Sequence, residues 1–429
     1  MISHPRRRVG RREAAWRSER APARPAWRIL ACAAAVLVTA GCSDGSTGPS
    51  STSADLHARA LAAGLAPMPT EPLRPLDNPY RAGNVALGHH LFFDPILSGP
   101  RDVACSTCHL PRFAFADGRQ FPAGAGATGL GPQRTDPGPW PMRPMPRNSP
   151  PVFNVGLYGR FGTAPSVNGM IFWGGNAFGL EDQVLAPIAA DNELRGVAYP
   201  KALAIDSVIG RLRSIPEYVT MFSEAFPKIV PAAPERLITA TTVRRALAGY
   251  IRELVTPHAP LDAFLRGDEG ALSTEQKAGL ELFIGKAGCV RCHSGPTLSD
   301  FDLHVLGTLQ VGLGRDTTPG DDLGWGEHGG KPYAFRTAPL RQVALTAPYF
   351  HAGSAETLDD VLEFKNAGIS AHPRVSADQL DPAIHPLGLS SSELVQLRAF
   401  LHALTDTISV KGPLFDAPAG VPSGLVIPQ

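Results

Sequence analysis

The pentapeptide Cys-x-x-Cys-His occurs twice in this chain, as Cys105-Ser106-Thr107-Cys108-His109 and as Cys289-Val290-Arg291-Cys292-His293. Two thiols at this spacing can form thioethers to the two vinyl groups of a haem. The histidine that follows then lies beneath the iron as its proximal ligand. Cys-x-x-Cys pairs also build zinc centres and redox dithiols. Two complete copies, each with its histidine, favour two covalent c-type haems. The remaining cysteines, Cys32 and Cys42, fall in a targeting segment, so no thiol is left for a structural disulfide. This pattern fits export to an oxidising compartment, where stray thiols are a liability.

The export signal is at the start. Nine arginines between Arg6 and Arg28 form a cationic leader, and residues 29–40 form an apolar run too short to span a bilayer as a mature helix. Val38-Thr39-Ala40-Gly41-Cys42 resembles a bacterial lipobox with Cys42 as the lipidated residue; ordinary signal-peptidase cleavage nearby is the alternative. Residues 1–41 are therefore read as a lipoprotein-type signal peptide. Residues 42–75, opening on a Gly-, Ser- and Thr-rich stretch, are read as a flexible tether. The expected location is the periplasm, with a lipid anchor to the outer membrane as the one membrane attachment. Removing the leader takes away a net charge of +7, so the whole-chain +1 becomes about −6. No basic nucleic-acid-binding face is implied. An apolar content of 43% in 429 residues supports one large or two medium cores.

A weak internal repeat precedes the two haem motifs. Leu87-Gly88-His89-His90-Leu91-Phe92 stands before the first and Ala278-Gly279-Leu280-Glu281-Leu282-Phe283 before the second. Each predicts a short helix that delivers the chain to a haem-binding turn. Ser273-Thr274-Glu275-Gln276 and Ser390-Ser391-Ser392-Glu393 are capping boxes. The second leads into Leu394, Leu397, Phe400, Leu401 and Leu404, an apolar stripe at helical spacing that is read as core packing against the first helix of its haem domain. Residues 202–212 and 233–255 also read as helices, and the Gly- and Pro-rich residues 121–150 as an irregular loop over the first haem. The expected class is mainly α: two cytochrome-c-like haem domains with long irregular loops, over residues 76–260 and 261–410, followed by a C-terminal tail, 411–429.

Further segments, taken in order, carry a resemblance. They are Leu91-Phe92-Phe93-Asp94-Pro95, Phe115-Ala116-Asp117-Gly118-Arg119, Arg147-Asn148-Ser149-Pro150, Phe172-Trp173, Leu180-Glu181-Asp182-Gln183 with Pro187 and Glu193, Leu298-Ser299-Asp300, and Thr346-Ala347-Pro348-Tyr349-Phe350-His351. Together with the haem motifs they resemble the bacterial di-haem cytochrome c peroxidases and their relatives, including the di-haem enzyme that matures methylamine dehydrogenase. The resemblance implies that the His109 haem reacts with hydrogen peroxide. The His293 haem would take electrons from a donor, such as a small cytochrome or cupredoxin. Trp173 matches the tryptophan between the haems. Asn148, Thr346 and Pro348 match a calcium site between the domains, the last two through backbone carbonyls; oxygen ligands suit such a hard cation. Glu193 matches the distal glutamate, which takes a proton from peroxide and returns one to the departing oxygen, and Gln183 would orient the peroxide or a water.

Two positions depart from the family pattern. Standard peroxidases of this family cap the resting iron with a histidine from the loop before the Arg-Asn pair, yet there is no histidine between His109 and His258. The first haem is therefore expected to be open without reductive activation, as in the maturation branch. The second haem's distal ligand, Met or Tyr in the family, falls on Lys365, and no methionine follows Met221. A neutral lysine amine can ligate iron if burial lowers its pKa. Otherwise the lysine snorkels, and the position is vacant or taken by His372 or His385. The leading expectation is a di-haem peroxidase. One alternative is an enzyme that oxidises Trp or Tyr residues of a partner protein; another is a non-catalytic electron-transfer cytochrome.

Overall fold

The structure, a computed structural model, describes residues 53–135, 145–229, 233–312, 314–315 and 321–428. The signal peptide, Cys42 and the start of the tether lie outside the described residues.

Two helix crossings form the centre of the molecule. Helices α1 (Ser53–Ala62), α2 (Ala82–Phe93), α3 (Ala204–Arg213), α4 (Pro216–Ala225), α5 (Ala240–Arg252), α6 (Thr274–Ile284), α7 (Leu358–Ala367) and α8 (Ser391–His402) account for most of its regular structure. In the first crossing Gly88 of α2 lies so close to α5 that an added Cβ would sit 2.0 Å from the Ala246 carbonyl oxygen and 2.8 Å from Tyr250 Cβ. In the second, Gly279 of α6 meets α8, and a Cβ there would be 2.0 Å from the Gln396 carbonyl and 2.7 Å from Phe400 Cβ. The repeat glycines thus perform one task twice: without a side chain, two backbones come into contact. Four residues beyond each glycine, Phe92 and Phe283 are buried, against Tyr250 and Phe400. Burial of side chains this size stabilises by roughly 1.5–3 kcal/mol each.

The buried apolar residues form two main cores. The first draws on residues from Val85 to Leu254, with Phe301 and Phe415; the second on Leu56 to Leu65 and Leu261 to Leu404. The ends of the described chain cross over. Helix α1, with Leu56 and Ala60 buried, packs on the second core. Residues of the 411–429 tail, among them Leu414, Phe415, Val421 and Leu425, pack on the first. The flexible-tether reading therefore does not hold from Ser53 onward. Leu56, Ala60 and Leu65 bury enough apolar surface to fix that stretch in place.

Local sequence explains the other elements. The Ser273/Gln276 and Ser390/Glu393 boxes cap α6 and α8 as expected, and α8 crosses α6, the expected core role for its stripe. Residues 233–255 form two helices rather than one, because the Thr239 hydroxyl accepts from the Thr242 amide and starts α5 afresh after the single turn Pro234–Leu237. Two small antiparallel hairpins carry functional residues: Met170–Ile171 with Ala177–Phe178, and Leu303–Val305 with Ala334–Arg336. They meet where the Arg336 amide donates to the Trp173 carbonyl at 2.9 Å. No described helix is long and apolar enough to cross a membrane.

Candidate active site

Each Cys-x-x-Cys-His motif opens with a one-turn helix, Cys105–Cys108 capped by His109 and Cys289–Arg291 capped by Cys292. In each, the amide of the histidine donates to the carbonyl of the first cysteine, His109 to Cys105 at 3.0 Å and His293 to Cys289 at 2.9 Å. His109 Nδ1 lies 3.0 Å from the Phe115 carbonyl, and His293 Nδ1 lies 3.0 Å from the Leu298 carbonyl. A donor bond at Nδ1 fixes the tautomer and leaves Nε2 as a basic lone pair for a metal. Burial pushes both imidazoles below their ordinary range, His293 to about 4, so both are neutral at neutral pH. The four thiols are unpaired, and burial raises Cys105 to about 12 and Cys289 to about 11. Unpaired thiols next to an oriented imidazole fit a covalently held haem at each motif.

In front of His109 opens a cavity of about 1410 Å³, open mouth included, lined by Cys105, Cys108, Gln183, Trp173 and Glu193 among mainly apolar residues. Glu193 sits on a turn held from behind: the Ala125 amide donates to its carbonyl at 2.7 Å, and Gly124 lies flat against it. A Cβ on Gly124 would come within 2.2 Å of the Asn192 carbonyl. Burial raises the Glu193 carboxyl to about 7, partly offset by the positive charge of Arg315. A carboxyl with that pKa exchanges protons readily at neutral pH. Gln183 ends the one-turn helix Leu180–Gln183. Trp173 occupies the turn of the first hairpin, and its indole N–H donates to the Asn148 carbonyl at 2.8 Å. His109 is the one histidine among the described residues lining this cavity.

Asn148 is tied to the segment that carries Thr346 and Pro348. Its amide donates to the His351 carbonyl at 2.7 Å, and its side chain donates to the Arg119 carbonyl at 2.7 Å. Beside His293, Lys365 lies in the last turn of α7. Burial lowers its amine, opposed by the Cys289, Cys292 and Asp381 charges, and its own charge acts on Cys289 and His293. The Lys365 charge is thus felt at the second haem motif. His372 is buried under Tyr333, with Nε2 3.5 Å from Asp321, whereas His385 is exposed with Nδ1 on the Pro386 carbonyl. Neither is among the charges felt at His293.

A family model for di-haem cytochrome c peroxidases matches residues 82–270. The chain is 34% identical over 386 residues to the methylamine utilization protein MauG of Methylorubrum extorquens, covering 88% of this chain and 93% of that protein. The chain belongs to the di-haem cytochrome c peroxidase family. The cytochrome c551 peroxidase of Pseudomonas aeruginosa is 33% identical over 309 residues, covering 72% of this chain and 78% of that one. Among solved structures, a MauG-like protein associated with microbial copper homeostasis superposes with a TM-score of 0.66 at 27% identity, over 81% of this chain and 96% of that one. This di-haem peroxidase relative is thus a haem-dependent oxidoreductase.

In this member of the family, an ionic chain built on the buried Arg147–Asp322 pair borders the cavity, with little in the local sequence to announce it. Arg147 makes a two-pronged pair with Asp322 (2.7 and 2.6 Å) and reaches Glu327 at 3.0 Å. Glu327 also pairs with Arg315 at 3.3 Å. Arg336 is buried between the Tyr158 and Phe301 rings, 5.1 and 5.6 Å from their centres, and donates to the Phe172 carbonyl at 3.0 Å. Arg147 stood in a recognised motif, but Asp322, Glu327, Arg315 and Arg336 lie far along the chain. A carboxylate such as Asp322 has no local pattern to announce a partner 175 residues away.

Proposed function

We propose that this enzyme reduces hydrogen peroxide in the cavity over His109, with electrons relayed from the His293 haem past Trp173. The observation that supports this reading is Glu193: a carboxyl whose pKa burial lifts to about 7, in the cavity that His109 also lines and that no other imidazole among the described residues lines. When bound, the haem on His109 supplies an iron that takes up peroxide oxygen and passes electrons to it. The chain's own groups handle the protons. The Glu193 carboxylate takes one proton from peroxide, and the resulting carboxylic acid returns it to the outer oxygen as the O–O bond breaks. Gln183, a neutral donor and acceptor, orients the peroxide or a water. One peroxide, two electrons and two protons yield two waters. The apolar lining excludes bulk water and keeps the Glu193 proton for this exchange.

The other roles expected from the resemblance are part of the same proposal. Trp173 carries electrons between the haems, Lys365 ligates the iron on His293, and Asn148 with the Thr346 and Pro348 carbonyls holds calcium. The mature enzyme works in the periplasm, anchored through a lipid on Cys42, and a small cytochrome or cupredoxin is the donor. One observation favours a second reading. Without a capping imidazole, the cavity is open with both haems oxidised, as an enzyme that withdraws electrons from Trp or Tyr residues of a partner protein requires. The MauG likeness points the same way. Peroxide turnover with and without a reduced small cytochrome separates the two, since turnover supports the peroxidase and a long-lived oxidised species without turnover supports modification of a partner.

The decisive variant is Glu193→Gln. It removes the proton carrier and keeps the shape, so peroxide cleavage falls by roughly 10²–10⁴-fold with both haems still attached. In the wild-type protein the rate rises with pH through about 7, because the first step needs the carboxylate, and the variant loses this rise. Unchanged kinetics would remove Glu193 from the mechanism.

A further inference from the structure

Three arginines line the cavity over His109: Arg147, Arg315 and Arg336. Two of them are committed elsewhere. Arg147 is clamped by Asp322 and Glu327, and Arg336 donates to the Phe172 and Thr337 carbonyls while its plane lies between two rings. Arg315 differs. It is partly exposed, and its Nε meets Glu327 at 3.3 Å. That contact orients the guanidinium by one corner and leaves the other end for a ligand.

The base of its loop is firmly built. The Arg315 amide donates to the Asp321 carbonyl at 2.8 Å, and the Asp321 carboxylate is held by Tyr333 at 3.1 Å and Arg374 at 2.7 Å. The next residue, Asp322, is the buried anchor of Arg147. The other charges around Glu193 are spent on other partners. Asp191 and Arg195 of its own turn pair with each other at 3.5 Å, and Arg134 on the facing loop donates to the Ala123, Gly124 and Gly129 carbonyls.

We infer that Arg315 is the anion-binding group of the peroxide site, a fixed cation that works with Glu193 across the same cavity. The inference rests on the open, peroxide-reactive site proposed above. Once Glu193 has taken a proton, the substrate is a hydroperoxide anion, and when the O–O bond breaks negative charge gathers on the departing oxygen until Glu193 returns the proton. A guanidinium that lines a mostly apolar cavity, with part of its surface in solvent, stabilises both charges without moving. It has no role in proton transfer, since it stays charged throughout. The two groups divide the task, Glu193 moving the proton and Arg315 holding the charge. Glu327 and Arg147 keep Arg315 in place from behind. The same cation selects small anions over neutral molecules of similar size.

The test uses the oxidised protein with both haems attached and needs no turnover. Fluoride serves as the anionic probe and imidazole as the neutral one, each titrated by the absorption spectrum of the open haem. Arg315→Met is expected to weaken fluoride roughly tenfold or more, the size of a lost charge-assisted hydrogen bond, and to leave imidazole affinity and the melting temperature unchanged. Arg315→Lys is expected to recover part of the fluoride affinity. Unchanged fluoride binding in Arg315→Met would overturn the assignment and leave Arg315 as a partner for haem carboxylates or solvent. An equal loss for both probes would also overturn it, because that is the mark of a deformed cavity. If the wild-type protein binds neither probe, the open-site reading falls, and the role of Arg315 with it.

Discussion

At the scale of single residues, the two haem motifs are built alike but differ in their surroundings. Each histidine is held by a carbonyl at 3.0 Å, yet one borders a cavity that Glu193 also lines and the other feels the charge of the Lys365 amine. Lys365 is the sharper test of that difference. Replacement by Ala removes the amine felt at His293 and is expected to change the spin state of that haem alone, as read by electron paramagnetic resonance. An unchanged spectrum would return Lys365 to packing and charge balance. The motif cysteines and histidines were legible from spacing alone, because covalent attachment demands a fixed local pattern. Glu193 was legible only through its resemblance to a family position, since Asp191-Asn192-Glu193 reads as an ordinary loop. The turn that carries it is held by Gly124 and Ala125, far off in sequence.

At the scale of elements, the repeat Gly-x-x-Leu-Phe is best understood as a device for bringing helices together. Replacing Gly by Ala inside a helix ordinarily gains up to about 1 kcal/mol from helix propensity. At Gly88 and Gly279 the new methyl would lie 2.0 Å from a carbonyl oxygen of the crossing helix, and overpacking of this kind costs about 1–3 kcal/mol or more. The clash is with backbone, which cannot rotate away, so it prevails. Gly88→Ala and Gly279→Ala should each lower the melting temperature by several degrees, whereas Gly210→Ala, in open space in α3, should not. Equal melting of all three would mean that the crossings relax freely. The helix starts at Ser273 and Ser390 could be read directly, because capping is a local exchange of hydrogen bonds. The break before Ala240 was missed because Thr239 caps through Thr242, outside the Ser/Thr-x-x-Glu/Gln pattern. The two hairpins escaped notice because strands of two or three residues are too short to show alternation.

At the scale of the whole molecule, the ends of the described chain brace the opposite cores. The 411–429 tail places Phe415 against Phe115 and Phe153, with ring centres 6.2 and 5.8 Å apart. Phe115 supplies the carbonyl that holds His109. The neighbouring residues fasten the tail: the Tyr250 hydroxyl donates to the Leu414 carbonyl at 2.8 Å, and the Ser423 hydroxyl donates to Asp94 at 2.7 Å. Phe415→Ala should therefore loosen the His109 tautomer lock and shift the reduction potential of the first haem, leaving that of the second in place. Equal shifts at both haems, or none, would show that the tail only covers the core. Nothing local in 411–429 forecast this, because a strap draws its meaning from what it crosses. The strap also makes the first haem pocket answer to the far end of the chain: a truncation before Leu414 would strip the ring from Phe115 while leaving Cys105, Cys108 and His109 in the sequence.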